Sequence, residues 1–432
     1  MNYKRFFALL FSLLAGHLAY SQNPIIGNIG ISDPHIRVFN DTLYLYSGHD
    51  ASPSDKTWVM KDWRVFSSTD LMHWTQRCTI SPNDNYMDAN SSDCWASDAA
   101  SRNGKYYFYF SDQKRGIGVM SANSPSGPFK DALGKPLVAP MHDPTVFTDK
   151  DHQQTPYLIY GDKAGGGFHI AKLNEDMISL AETPQVIQIN GKEWENAPEW
   201  MDKNYLFKRG DTYYLSWGRD YAVSKNIYGP YRCAGAVGNG HHLNEFAHGS
   251  FFEWKGQFYH IWCYYLQPGF KYRASIISYC HFDDEGRIVT DTDFLDAHFA
   301  NGVGQYHASW NKIEAEWYSE ISGKIHKQGS REKGFVLTGM KHNDWVKFAH
   351  VTFDKACTLF TAKLSTNRNE GILEIRSDSP SGSILGSLNI APGQAKQQLE
   401  CRIKECVGTK DIYLVFKGDN CSNWQLDWLQ FK

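Results

Sequence analysis

The hydrophobic pattern of this chain repeats a unit in which a polar residue precedes a strand-like run, a tight turn and a second run rich in aromatic residues. Five such units begin near positions 33, 97, 142, 198 and 247. Pairs such as Asn40-Asp41 and Asn103-Gly104 separate the two runs, and these residues favour the short turns of β-hairpins. Further strand-like segments follow, which makes units of about four strands that recur about every 50 residues. This period predicts an all-β fold that begins with a five-bladed β-propeller.

The pattern changes near residue 312, where the blade unit stops. Segments such as "DWVKFAHVTFDKACTLFTAKLST" and "NWQLDWLQFK" alternate hydrophobic and polar positions and lie between polar turns. This alternation predicts a β-sandwich. We therefore assign the propeller to residues 22–305 and the sandwich to residues 312–432. Because no flexible Pro- or Ser-rich linker separates them, we expect the two domains to pack closely.

The N-terminus, "MNYKRFFALLFSLLAGHLAYSQNP", has the features of a secretory signal peptide. Lys4 and Arg5 form a positive segment, Phe6–Leu18 is apolar, and Ala19 and Ser21 are small residues at suitable cleavage positions. The apolar run is too short for a spanning helix, and no later segment is apolar enough to cross a bilayer. We predict a signal peptide at residues 1–21, a secreted or periplasmic protein, and no transmembrane segment.

Composition narrows the function classes. The formal net charge of −3 leaves no basic surface of the kind that binds nucleic acid. Aromatic residues make up 15% of the chain, which suits pleated strands and leaves a few rings for stacking on sugars. Nine cysteines are too sparse for a disulfide scaffold, although one disulfide among Cys401, Cys406 and Cys421 stays open. We expect a monomer.

The blade repeat gathers polar residues at one place. The first strand of each blade lines the central channel, so Asp33, Asp98, Asp143, an acid near residue 199, and His248 should converge. Carboxyl groups at one polar opening suggest glycoside hydrolysis, in which one protonated acid serves the leaving oxygen and one carboxylate activates water or attacks the sugar. A third carboxylate raises the pKa of the acid by repulsion. The alternative is that each Asp-Pro pair only starts a turn.

Several phrases resemble glycoside hydrolase family 43. They are Asp33-Pro34 with "YLYSG", "WASDAASRNGKYYFYFS", "HDPTVFTDKD…YLIYG" and "AHGSFFEWKGQFYHIW", and the resemblance covers roughly residues 27 to 300. It implies a five-bladed propeller enzyme that acts with inversion, mostly on arabinose- and xylose-containing polysaccharides.

The resemblance also implies roles for individual residues. Asp33 would be the general base that deprotonates the attacking water, and Asp143 would orient the proton donor and tune its pKa. His248 matches a histidine near the axis that binds water or an ion, or it is a satisfied core histidine. Arg273 would reach toward the sugar, or pair with a surface acid. Trp95 would form an apolar wall of the pocket, or simply pack in the core.

The general acid is where the sequence departs from the family pattern, in the stretch "ENAPEWMDKNYLFKRGDTYYL". Glu195, Glu199 and Asp202 all compete for the role, and a gapless count back from Tyr213 arrives at Asp202. Glutamate has the higher intrinsic pKa and the longer reach, which suits a proton donor at neutral pH. We therefore choose Glu199, followed by Glu195 and then Asp202.

The C-terminal segment resembles a family 6 carbohydrate-binding module over roughly residues 312 to 432. The resemblance rests on "IEAE", "DWVKF" and "NWQLDWLQF" and implies a jelly-roll with a structural calcium ion. By position, Glu314, Glu316 and Asp427 would be its oxygen ligands, which suits a hard cation. The alternative is a cluster of surface acids. Trp424 would contact a glycan or belong to the core.

These inferences combine into one functional prediction. We expect an exported inverting glycoside hydrolase that removes α-L-arabinofuranosyl or β-D-xylosyl units from plant cell-wall polysaccharides or oligosaccharides, with the arabinofuranosidase ranked first. Catalysis would need no cofactor. A glycan-binding propeller without catalysis is the alternative from another class, and a retaining five-bladed fructan enzyme is a third candidate.

Overall fold

The structure is a computed structural model that describes residues 23–27, 29–150, 152–243, 248–366, 370–392, 397–419 and 421–432. The predicted signal peptide, residues 1–21, lies outside these residues. Five sheets follow one another along the chain, and the inner strand of each contacts the inner strand of the next until the fifth returns to the first. The predicted all-β fold, a five-bladed propeller followed by a β-sheet domain, is confirmed.

The first three blades are four-stranded and antiparallel, with the inner strand first in the chain. Blade I consists of β1 (Ile31–Phe39), β2 (Thr42–Asp50), β3 (Met60–Ser68) and β4 (Thr75–Ile80), followed by a 3-10 turn at Pro82–Asp84. Blade II consists of β5 (Cys94–Arg102), β6 (Lys105–Asp112), β7 (Gly116–Ala122) and β8 (Lys130–Asp131). Blade III consists of β9 (Thr145–Asp149), β10 (Thr155–Tyr160), β11 (His169–Lys172) and β12 (Gln185–Val186).

Blade IV has a fifth strand at its outer edge, which the sequence pattern did not indicate. It consists of β13 (Ile189–Asn190), β14 (Asn204–Arg209), β15 (Thr212–Trp217), β16 (Asp220–Ser224) and β17 (Tyr231–Ala236), with helix α1 (Lys192–Glu195) after β13. The edge strand β13 runs parallel to β17. Blade V consists of β18 (Gly249–Trp254), β19 (Gln257–Tyr265), β20 (Arg273–Phe282) and β21 (Ile288–Thr290), and helix α2 (Thr292–His298) follows.

The hairpin turns have the backbone that their residues favour. Asn40 and Asp41 have φ angles of +49° and +60°, and Asn103 and Gly104 have φ angles of +51° and +75°. Two consecutive residues with positive φ are the mark of the type I′ turn, which matches the twist of the flanking strands. The local sequence therefore sets the register of each inner hairpin, and with it the residue that begins the inner strand.

Asp98 joins three blades and does not line the cavity described below. Its carboxylate accepts a hydrogen bond of 2.8 Å from Arg37 Nε in blade I and another of 2.8 Å from the Val146 amide in blade III. The His35 ring lies 3.3 Å away. Although burial opposes the shift, Arg37 and His35 hold the pKa of Asp98 well below its ordinary value. This blade-start acid is a buried structural ion pair, and losing one partner of such a pair typically costs about 3–5 kcal/mol.

The ten C-terminal strands are hydrogen-bonded into one continuous sheet. The strands are β22 (Tyr306–His307), β23 (Ile313–Glu314), β24 (Glu320–Ile321), β25 (His326–Ser330), β26 (Gly334–Thr338), β27 (Trp345–Ser365), β28 (Gly371–Ser377), β29 (Ile384–Ile390), β30 (Gln397–Lys417) and β31 (Gln425–Phe431), with a 3-10 turn at Ala315–Trp317. Strands β27 and β30 pair along their length, with register shifts near the middle. Irregularities of this kind bend strands and let them take part in both layers of a sandwich.

The two domains pack closely, as the missing linker predicts. A single hydrophobic cluster continues from blades I and V into the C-terminal domain. At the junction the Gln257 side chain donates to the carbonyls of Glu316 and Tyr318 at 2.9 and 2.8 Å. The Trp317 indole donates to Asp291 at 2.6 Å. Within the described residues, no helix has the length and apolar character needed to cross a membrane.

Candidate active site

A cavity of about 610 Å³ lies where the inner strands of the propeller meet. Every blade contributes a residue at or just before its inner strand: Asp33 in β1, Trp95 in β5, Asp143 before β9, Asp202 before β14 and His248 before β18. Carboxyl groups distant in sequence therefore share one hollow of the size that holds a sugar.

The backbone aims the two Asp-Pro carboxyl groups into this cavity. Asp33 and Asp143 have φ angles of +47° and +55°, a left-handed conformation that is uncommon for residues other than glycine. The following proline disfavours the right-handed helical region at each position. In blade I the pairing of β1 with β2 shifts between Ser32 and His35, which is a bulge at the strand start. Bulges and strained residues of this kind re-aim side chains at functional sites.

Arg273 fixes the carboxylate of Asp33. One guanidinium nitrogen donates to Asp33 Oδ1 at 2.7 Å, while Nε and the other nitrogen donate to Asp50 at 2.9 and 2.7 Å. Arg273 therefore extends to the cavity, as expected, and the buried Asp50 holds its guanidinium group in place. Gly48 leaves room for the Met60 side chain beside Asp33. A Cβ at this position would lie 2.3 Å from the Met60 methyl carbon and 3.5 Å from Asp33 Oδ2.

His248 bridges the two acids without carrying charge. Its Nδ1 lies 3.8 Å from Asp33 Oδ1 and 3.6 Å from Asp143 Oδ2, and the ring is buried. Burial, followed by the nearby His35, lowers the pKa of His248 well below its ordinary value. The opposite nitrogen, Nε2, is buried without a hydrogen-bond partner in the protein. A neutral imidazole with an unused nitrogen at this place suits the binding of a water or a sugar hydroxyl.

Asp143 and Asp202 form a close pair of carboxyl groups. One oxygen of each, together with a ring nitrogen of His142, lies within 4.8 Å of the others. Burial and the charges of Asp202 and Asp33 raise the pKa of Asp143 to about 7. The pKa of Asp202 is lowered. Burial opposes this shift, but the contact with His142 and the charge of the Lys203 ammonium outweigh it. Because the two carboxyl groups interact, their protons are lost in steps that belong to the pair and not to either residue alone.

The structure does not bring Glu199, the first choice for the general acid, to the cavity. Its side chain is 75% exposed, its carboxylate lies 3.5 Å from the Lys163 ammonium, and neither residue lines the cavity. Glu195, the second choice, is also exposed, at the end of α1. Asp202 instead lines the cavity with its side chain only 22% exposed. Its position agrees with the gapless count, and of the three candidates Asp202 is the one that lines the cavity.

Aromatic side chains and lysines form the mouth of the cavity. Trp95 lines the wall, as expected, and Trp58 and Trp200 stand at the rim with 41% and 56% exposure. The Lys271 ammonium lies 4.2 Å above the Trp58 ring, and that of Lys203 lies 4.7 Å above the Trp200 ring. Trp58 and Trp200 lie in irregular segments without periodicity, and sequence reasoning missed them.

The three predicted calcium ligands lie near one another without forming a tight oxygen set. In the described part of the chain, Glu314, Glu316 and Asp427 are not among the groups whose ligand atoms all approach within 4.8 Å. Glu314 contacts the Lys312 ammonium, and Asp427 lies 2.8 Å from that of Lys363. Trp424, considered for glycan contact, is fully buried in the core of the C-terminal domain.

Comparison with known proteins identifies the family. The sequence profile of glycosyl hydrolases family 43 matches residues 21–271, more than half of the chain. The chain belongs to this family. It is therefore a glycoside hydrolase, which confirms the family and the enzyme class expected from the sequence. The profile of carbohydrate binding module family 6 matches residues 314–432, so the family 43 domain is followed by a family 6 module.

Two relatives of this family 43 enzyme match along almost the whole chain. An arabinoxylan arabinofuranohydrolase of Bacillus subtilis (strain 168) is 26% identical, over 98% of this chain and 97% of its own length. A second arabinoxylan arabinofuranohydrolase, from Paenibacillus polymyxa, is 26% identical over 95% of this chain and 74% of its own length.

Two solved structures show the same fold. A family 43 arabinoxylan arabinofuranohydrolase from Bacillus subtilis in complex with cellotetraose matches with a TM-score of 0.56 and 24% identity, over 96% of this chain and 98% of that chain. A family 43 β-xylosidase/α-arabinofuranosidase from a compost metagenome, in a calcium-free form with xylotriose, matches with a TM-score of 0.54 and 27% identity. That match covers 61% of this chain and 94% of the other.

Proposed function

We propose that this family 43 enzyme is a secreted or periplasmic, inverting α-L-arabinofuranosidase acting on arabinoxylan-type plant polysaccharides or oligosaccharides, with β-D-xylosyl units as the second substrate. The observation that carries the proposal is the cavity in which Asp33, Asp143 and Asp202 meet beside His248. The similarity to two arabinoxylan arabinofuranohydrolases, one of them matched along nearly its whole length, favours the arabinosyl substrate.

In the proposed reaction the three carboxyl groups divide the proton transfers. Asp33, which accepts a hydrogen bond from Arg273, takes a proton from the attacking water, whose oxygen bonds to the anomeric carbon. The bond from that carbon to the leaving oxygen breaks, and Asp202 gives its proton to that oxygen. Asp143 keeps the Asp143–Asp202 pair protonated at neutral pH, because two adjacent carboxylates repel each other. The scheme uses only carboxyl groups and water, so it needs no cofactor.

The substrate and the stereochemistry can be tested together on the purified protein. We expect release of nitrophenol from 4-nitrophenyl α-L-arabinofuranoside, with slower release from the β-D-xyloside and none from hexopyranosides. Proton NMR during early turnover of arabinoxylan oligosaccharides should show β-arabinofuranose as the first product before mutarotation. A first product of α configuration would contradict inversion. Binding of oligosaccharides without turnover on any of these substrates would favour the glycan-binding alternative.

We also propose a calcium ion in the C-terminal module, bound by Glu314, Glu316 and Asp427. The supporting observation is Glu316, one of whose carboxyl oxygens is buried without a hydrogen-bond partner. Burial and the adjacent Glu314 raise the pKa of Glu316 well above its ordinary value. A hard cation bound by oxygen ligands would satisfy this atom. Lys312 and Lys363 compete for the other two carboxylates, so binding requires that both ammonium groups give way.

Calcium is therefore expected to stabilise the module only at high concentration. Millimolar Ca²⁺ should raise the thermal unfolding midpoint by a few degrees relative to EDTA, because a ligand that binds only the folded state stabilises it. Millimolar Mg²⁺ is the matched control and should do less, since it demands a smaller octahedral site. The Glu316→Gln variant should lose the calcium response. An identical midpoint in Ca²⁺ and EDTA would contradict the site.

A further inference from the structure

His142 occupies an unusual place directly behind the proton donor. Its ring is buried, with only 3% of the side chain exposed, and it does not line the cavity. Nε2 lies 3.6 Å from Asp202 Oδ2 and 3.8 Å from Asp162 Oδ2, and it has no hydrogen-bond partner in the protein. A buried imidazole nitrogen between two carboxylates is placed to carry a proton, because the positive charge then faces two negative ones.

The row of charges continues outward from His142. Asp162 is buried, with 7% of its side chain exposed, and accepts hydrogen bonds from the Lys114 ammonium and from the Gly165 amide. Lys114 is half exposed and lies at the wall of the cavity. The charges therefore alternate from solvent to the donor: Lys114, Asp162, His142 and Asp202. Such alternation is what buried ionised groups require if they are to stay ionised.

We propose that His142 is a positioning residue of the proton donor: its imidazolium holds the Asp202 carboxyl toward the cavity and sets the pH above which the donor loses its proton. This inference rests on the proposed function, in which Asp202 protonates the leaving oxygen. The cavity holds three acids that repel one another, and without a cation behind them the Asp143–Asp202 pair would bind its proton too tightly to release it.

The charged groups that face His142 determine in which direction its loss would move the pH at which the donor pair deprotonates. Asp143, on the same segment, and Asp202, from the loop before β14, raise the pKa of His142 against the opposing effect of burial. Asp162 faces the ring from the loop after β10, and Lys114 lowers the pKa of His142. An imidazolium at 3.6 Å stabilises the carboxylate form of Asp202. Removing this positive charge must therefore raise the pH at which the donor pair deprotonates.

Three variants test the inference through the pH profile of kcat/KM. In His142→Gln the alkaline limb should move up by about one pH unit, the effect of losing one nearby opposite charge. Asp162→Asn should move it in the same direction by less, because the imidazolium loses one supporting carboxylate. Lys114→Met should move the limb by less than His142→Gln does, because Lys114 contacts Asp162 and faces the donor pair only across Asp162 and His142. A purely structural role would lower the rate at every pH and leave the limb where it is.

A second readout separates this inference from the proposed function. Carbon NMR of protein labelled at the aspartate carboxyl carbons, assigned by comparison with Asp202→Asn, follows the donor pair whether or not substrate is turned over. His142→Gln should shift the Asp202 titration upward by about one pH unit. An unchanged titration in both His142→Gln and Asp162→Asn would overturn the role of His142, even in an active enzyme. A shifted titration in a protein that hydrolyses no glycoside would uphold it and reject the proposed function.

Discussion

Asp202→Asn is expected to lower kcat on arabinoxylan oligosaccharides by about 10²–10⁴-fold, the range that general acid catalysis supplies. The alkoxide leaving group of a sugar departs only when it is protonated, and asparagine has no acidic proton to give. An aryl glycoside with a strongly acidic phenol needs little protonation. On 2,4-dinitrophenyl α-L-arabinofuranoside the same variant should therefore lose less than about tenfold.

The measurement is a series of aryl glycosides of graded leaving-group pKa. The slope of log kcat against that pKa should become much steeper in Asp202→Asn than in the parent enzyme. Glu199→Gln is the matched control, since its side chain is 75% exposed and its ion pair with Lys163 lies outside the cavity. Surface pairs of this kind contribute about 0–1 kcal/mol, so this variant should keep both rate and slope. A large loss in Glu199→Gln with a normal Asp202→Asn would reverse the assignment.

The repeat in the sequence was sufficient to predict the propeller and most of its axis. An Asp-Pro pair occurs at the same blade position in units I and III, and this repeat predicted that Asp33 and Asp143 would lie at the central cavity. The prediction worked because the inner hairpin sets where each inner strand begins. The turn alternative was not wrong about conformation: both residues have positive φ at a strand start. That local geometry is what turns their side chains toward the cavity.

The donor could not be chosen by intrinsic acidity. Glutamate was preferred because its unperturbed pKa is higher, yet environment moves a pKa by more than the difference between the two side chains. In the cavity, burial and like charge raise the pKa of Asp143 to about 7, although aspartate has the lower intrinsic pKa of the two acids. Spacing within the inner strand was the better guide, because it reports where a side chain points.

The second cause of the error lies in the segment before β14. The residues between α1 and β14 have no regular hydrophobic period, so only the gapless count back from Tyr213 indicated which of the three acids faced inward. The same holds for the rim, where Trp58 and Trp200 come from irregular segments and reach the cavity only through the path of the chain. His142 precedes Asp143 in the sequence, but its proximity to Asp202 depends on how blades III and IV pack together.

Asp33→Asn is expected to lower turnover by about 10²–10⁴-fold on every substrate, including the aryl glycosides that spare Asp202→Asn. The attacking water has to lose a proton whatever the leaving group, and an amide cannot take it. The fold should survive, because Arg273 keeps its two bonds to Asp50 and an asparagine oxygen can still accept the third. The slope against leaving-group pKa should stay that of the parent enzyme, which separates the base from the acid.

A small anion gives this prediction a positive signal. Azide is nucleophilic without help from a base, so adding it to Asp33→Asn with an activated aryl glycoside should restore turnover and yield a glycosyl azide of inverted configuration. Asp211→Asn is the matched control. It is the same substitution in an exposed hairpin turn, where the side chain pairs with Lys225 and Thr212, and it should match the parent enzyme. A retained azide product would mean that a carboxylate first bonds to the sugar. Because the variant lacks the Asp33 carboxylate, the attacking carboxylate would be a different one, and Asp33 would activate water only in the second step of a retaining reaction.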